Sequence, residues 1–132
     1  MSSSIHAVGV VSGNIFGLVA AEAAYTYGDE WLDNMLVYVK EGEAILRKEL
    51  AEHLPKAILT PLEATYLGWI DLTAYGLTVA ELTERCRKAG VEFTFGTFFG
   101  EKLGEYHVRI NLACQHERII KAAESLEKAV KG

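Results

Sequence analysis

The sequence predicts an α+β fold in which helices pack on a small, largely antiparallel sheet, with elements in the order α-α-β-β-α-β-β-α. Two periodicities and their punctuation carry this expectation. Long stretches repeat apolar residues at three- and four-residue steps, as helices covered on one side do. Short stretches alternate, with Val108, Ile110 and Leu112 set against His107, Arg109 and Asn111, as half-buried strands do. Glycine, proline and capping residues separate the two kinds, and there is no internal repeat, low-complexity tract or linker.

Met1-Ser2-Ser3-Ser4 is polar and reads as frayed, so residues 1–13 are taken as a flexible or cloning-derived segment and 14–132 as the domain. Asn14 is a fitting N-cap for a first helix, apolar almost all round from Ile15 to Tyr25 and closed at Gly28; such a helix is expected to be buried on every side. A second helix, from Asp29 as cap to about His53, carries the stripe Leu32, Met35, Leu36, Val39, Leu46 and Leu50, with Gly42 inside it softening the helix by about 1 kcal/mol relative to alanine. Pro55 and Pro61 bracket a short strand over 57–60, and Tyr66 to Leu72, apolar on both faces, reads as a central strand. Thr78-Val79-Ala80-Glu81 is a capping box that opens a helix to Lys88, stopped by Ala89-Gly90. A strand over 91–95, a glycine-bearing loop over 96–105, the Arg109 strand and a last helix over about 116–130 complete the chain.

At 132 residues the chain has room for one domain that buries about two thirds of its unfolded surface. A formal charge of −5 without a basic stripe argues against a nucleic-acid partner. No apolar run reaches the roughly 18 residues of a membrane span, and the N-terminus lacks a positively charged leader, so a cytoplasmic location is expected. Cys86 and Cys114 stand outside any CxxC or Cys/His spacing, and His6, His53, His107 and His116 are scattered, so no metal site is expected. The apolar N-terminal stretch from Val8 to Val19 is expected to drive homo-oligomer formation when nothing else covers it.

Arg109 is the first candidate for a binding role, because a guanidinium is a planar, permanently charged fork that matches the oxygens of a carboxylate or phosphate. The plainer alternative is a solvated charge on an outer sheet face. Tyr66, at the start of the central strand, either turns its hydroxyl into a cleft or packs in the core. The loop Gly96-Thr97-Phe98-Phe99-Gly100-Glu101 does not follow the strand-loop-helix order of a phosphate cradle. Trp31 and Trp69 read as core or interface aromatics, and His107 shares a strand face with Arg109.

The run Val108-Arg109-Ile110-Asn111-Leu112-Ala113-Cys114, with Asn14-Ile15-Phe16-Gly17, Glu22-Ala23-Ala24-Tyr25 and Glu63-Ala64-Thr65-Tyr66-Leu67-Gly68-Trp69, resembles the C-terminal part of fold-type I pyridoxal-phosphate enzymes. It is most similar to class I/II aminotransferases of the cystathionine β-lyase (C–S lyase) branch, from about Asn14 to the end, which is the last third of such an enzyme. The resemblance implies that residues 14–132 form the small domain of an enzyme acting on amino acids by transamination or β-elimination. It implies that Arg109, in the R-x-N motif completed by Asn111, binds the substrate α-carboxylate. It further implies that Tyr66 lies toward the cofactor side and that the loop bearing Thr97 borders the active-site entrance. There the family commonly has serine in place of Thr97 and proline in place of Phe95. Pyridoxal phosphate is implied for the complete enzyme, held by a large domain that carries the Schiff-base lysine. The eight lysines of this chain match no such position. No catalytic, cofactor-binding or metal-binding residue is therefore expected here, and the chain alone is expected to be catalytically incompetent. A stand-alone amino-acid-binding module and a structural α+β module are the alternatives.

Overall fold

The computed structural model describes residues 14–102 and 104–132. They fall into two compact units that meet between Leu36 and Val37, and the expectation for residues 1–13 lies outside the described residues.

In the first unit, helix α1 (Ile15–Tyr27) starts as expected, with the Asn14 side chain accepting from the Phe16 amide at 3.0 Å. The expectation of burial on every side is not met, since all of its residues are exposed. Apolar composition sets what a helix prefers to touch, but burial needs a surface to lie on. Helix α2 (Asp29–His53) follows directly. Gly28, rather than Asp29, is the residue between the helices. Its amide donates to the Ala24 carbonyl and its own carbonyl accepts from Leu32, both at 2.9 Å. Asp29 and Glu30 occupy the first turn instead, where negative charge suits the helix dipole.

In the second unit, α2 buries Val39, Gly42, Leu46 and Leu50. Gly42 serves close packing rather than bending: a Cβ there would stand 2.9 Å from the Ile119 Cδ1 methyl. Strands β1 (Ile58–Leu59), β2 (Leu67–Asp71), β3 (Thr94–Phe95) and β4 (His107–Asn111) form one sheet in the order β1-β2-β4-β3, with every pairing antiparallel. β2 is thus an interior strand, as expected. β3 is shorter than the expected 91–95, because the Val91 amide donates to the Cys86 carbonyl at 3.0 Å and stays with the preceding helix. That helix, α3 (Val79–Lys88), opens on the expected capping box. The Thr78 amide donates to the Glu81 carboxylate at 2.9 Å, and the Glu81 amide donates to the Thr78 hydroxyl at 3.3 Å. Helix α4 (His116–Lys131) buries Ile119, Ala123, Leu126, Ala129 and Val130.

The register pairs Gly68 with Ile110 and Ile70 with Val108, all four buried, while Leu67, Trp69, Asp71, His107 and Arg109 on the other face are half-buried. One face therefore joins the helices in the core. Each fully buried aliphatic side chain, such as Ile70 or Val108, contributes about 1.5–3 kcal/mol. The opposite face stays open and carries the polar chemistry.

Candidate functional site

The open face is built by strand parity and register. Trp69 pairs with Arg109 across β2 and β4, Thr94 pairs with Arg109 across β3 and β4, and Asp71 pairs with His107. Cross-strand partners have Cβ atoms about 5 Å apart, so these side chains are neighbours without any help from loops. The loop after β3 then folds back over them. A 3-10 turn at Gly96–Phe98 brings Phe99 edge-on to Trp69, with ring centres 5.6 Å apart, and places its ring 5.0 Å from the Arg109 Cζ.

Arg109 is half-buried against this aromatic surface. Its Nη2 donates to the Thr94 hydroxyl at 3.4 Å, a long contact, and among the described residues no carboxylate lies within 4.0 Å of the guanidinium. A cation over an aromatic ring gains about 0.5–2 kcal/mol. That leaves most of its five donors unmatched, and a half-buried charge is most stable with an anion at hand.

Beside it, His107 stacks on Trp69 with ring centres 5.6 Å apart. Its Nδ1 donates to the Glu105 carbonyl at 2.9 Å, which directs Nε2 toward Asp71, 3.9 Å away. Asp71 accepts from the Thr73 hydroxyl at 2.5 Å and the Thr73 amide at 2.8 Å. The Thr73 hydroxyl, then its amide, then the neighbouring imidazole hold the Asp71 carboxyl below its ordinary value against the opposing effect of burial.

The residues singled out from sequence separate here. Arg109 and Asn111 share one face of β4 and line a hollow of about 270 Å³ with Leu67 and Thr94. The Asn111 side-chain Oδ1 already accepts from the Ala113 amide at 2.8 Å, leaving its side-chain Nδ2 for other contacts. Thr97 lines a different, more open hollow of about 490 Å³ beside Phe98 and Thr94. Tyr66 lines neither of these hollows; it stands just before β2, outside the strand, and is 44% exposed. Trp69, read from sequence as a core or interface aromatic, is half-buried on the open face opposite Arg109. Phe99 and Asp71 were not singled out. The alternation outward from Ile70 could have flagged Trp69 and Asp71, whereas nothing local marks Phe99.

Among the described residues, no group of three His, Cys, Asp or Glu side chains is arranged to hold a metal ion, and no helix is long and apolar enough to cross a membrane. All eight lysines are exposed. Exposed amines on helices and loops do not make the enclosed site that a Schiff-base cofactor needs, so these lysines do not fit as its anchor.

No protein-family model matches the chain. It is 38% identical over 114 residues to cystathionine beta-lyase PatB of Bacillus subtilis, a match that covers 86% of this chain and 29% of that protein. Among solved structures, cystalysin from Treponema denticola, which contains pyridoxal 5'-phosphate, superposes with a TM-score of 0.86 at 29% identity over 98% of this chain and 33% of the other. The C–S lyase from Staphylococcus hominis does so with a TM-score of 0.80 at 29% identity over 97% of this chain and 34% of the other. The chain thus spans about a third of the length of the proteins it matches. Over that third, in sequence and in fold, it is similar to pyridoxal-phosphate-dependent cystathionine β-lyases, C–S lyases and aminotransferases.

Proposed function

We propose that residues 14–132 act as the C-terminal small domain of a cytoplasmic pyridoxal-phosphate-dependent C–S lyase or aminotransferase, and that Arg109 grips the α-carboxylate of its amino-acid substrate. The observation that carries this reading is a half-buried guanidinium on an open sheet face with no carboxylate near it among the described residues. A substrate carboxylate would supply the missing acceptors in a two-pronged contact. Pyridoxal phosphate, held by the large domain, supplies the electron sink for the bonds around the substrate Cα. This chain's part is orientation: β4 fixes the guanidinium, Thr94 and Phe99 limit its swing, and Asn111 offers its amide nitrogen from the same face. Fixing a substrate by one end removes rotational freedom that would otherwise oppose reaction. Tyr66 and Thr97 would serve at the margins, Thr97 near the entrance.

The exposed α1 fits the same reading, since an apolar helix with no buried residue calls for a covering surface. In the complete enzyme the large domain supplies it, and in the isolated chain a second copy does.

The test is a chimera in which this chain replaces the homologous third of the Bacillus subtilis enzyme. The chimera is expected to cleave C–S bonds, and Arg109→Lys in it is expected to raise KM and lower kcat, reducing kcat/KM about 10- to 100-fold, because a point ammonium does not replace a bidentate contact. A folded chimera whose kinetics ignore Arg109→Lys would refute the assignment.

A further inference from the structure

The carboxylate reading leaves unassigned the aromatic surface beside Arg109. A hollow of about 540 Å³ opens on this surface, with Trp69, Gly96, Phe99 and Gly100 among its lining residues. Its two rings are fixed in place. Trp69 stacks on His107 and meets Phe99 edge-on, while Phe99 also lies against the Arg109 guanidinium. Gly96 keeps the floor low, because a Cβ there would collide with the Gly104 backbone and stand 2.9 Å from the His107 Cβ. The charges at the rim, Glu101 and Lys102, are exposed and opposite in sign, so they favour neither an acidic nor a basic ligand.

We infer that Trp69, with Phe99, is the specificity surface for the ligand's side chain, and that it selects amino acids with aromatic or long uncharged side chains over short or doubly acidic ones. The inference rests on the carboxylate reading and extends it. Phe99 lies against both groups, its ring 5.0 Å from the Arg109 Cζ and 5.6 Å from the Trp69 ring centre, so a carboxylate held by Arg109 brings the ligand's Cα beside this aromatic pair. A side chain directed away from β3 then lies against the exposed edge of the Trp69–Phe99 pair, where an aromatic ring or a methylene chain displaces water from an apolar surface and a second carboxylate gains little, Lys102 at the rim being offset by Glu101.

The experiment is an NMR titration of the 15N-labelled 132-residue chain with L-phenylalanine, L-alanine and L-glutamate. It follows the Trp69 indole N–H, assigned by its loss in Trp69→Phe, and the Arg109 Nε–H. All three amino acids are expected to move Arg109. Only phenylalanine is expected to move Trp69, and to bind at least tenfold more tightly than the other two, in line with the discrimination that an apolar pocket achieves. Trp69→Ala is expected to remove that preference while the Arg109 response to alanine persists, and Trp69→Phe to retain most of it. Movement of Arg109 with equal affinity for all three ligands overturns the specificity surface and leaves the carboxylate reading standing. No movement of Arg109 with any of them overturns both. Amide spectra of each variant report whether the fold is intact.

Discussion

The two cysteines show what position does to identical side chains. Burial pushes the Cys86 thiol up to about 11, whereas Cys114 is half-buried in the bend after β4. A thiol reagent at neutral pH is therefore expected to label Cys114 in the native protein and Cys86 only on unfolding, because the thiolate is the reactive form. Equal labelling rates would contradict the packing of α3. Asp71 gives a prediction of opposite sign. Its carboxyl is held below its ordinary value, so its contribution to stability is present above about pH 4 and is lost as pH falls through the lowered folded value. Asp71→Asn should flatten the acid limb of a urea-midpoint profile; an unchanged limb would mean that the Thr73 contacts carry no weight. At this scale the sequence was readable wherever parity alone decided. Val108, Ile110 and Leu112 are buried and Arg109 lies on the other face, as the alternation required. That Trp69 faces Arg109 was not readable, because the pairing depends on a register between strands about forty residues apart, although parity with Ile70 puts Trp69 on the open face.

Elements were legible where their signals are local. The Thr78–Glu81 box sets the start of α3 through hydrogen bonds within four residues. Thr78→Ala is expected to cost about 1 kcal/mol, readable as a lower urea midpoint with the m-value unchanged. The order of eight elements and the interior place of β2 followed from such signals. The length of β3 and the path of the following loop did not, because they are set by contacts between distant backbone atoms. Gly96 and Gly104 meet so closely that a Cβ on either would enter the other's backbone. Backbone does not yield as a side-chain tip does, so Gly96→Ala should destabilise by about 1–3 kcal/mol. It should also shift Phe99 away from Trp69, visible as a loss of ring-current shift at the indole. A variant as stable as the parent would show that this loop does not depend on the glycine pair.

For the whole molecule, the exposure of α1 is the feature that composition predicted least well. Ile15, Phe16, Leu18 and Val19 are each more than half exposed, and soluble monomers rarely leave more than a few hundred Å² of contiguous apolar surface uncovered. Light scattering is expected to find the isolated chain self-associated at micromolar concentration and Phe16→Glu shifted toward monomer; a parent that stays monomeric would contradict that. The central claim concerns the complete assembly: Arg109 holds a carboxylate. The most direct measurement compares, in the chimera, inhibition by 3-phenylpropionate with inhibition by phenethylamine, which lacks the carboxylate, before and after Arg109→Lys. A charge-assisted, two-pronged contact is worth about 1.5–3 kcal/mol. Arg109→Lys should therefore weaken 3-phenylpropionate at least tenfold and leave phenethylamine nearly unchanged. Equal weakening of both, or of neither, would contradict the account.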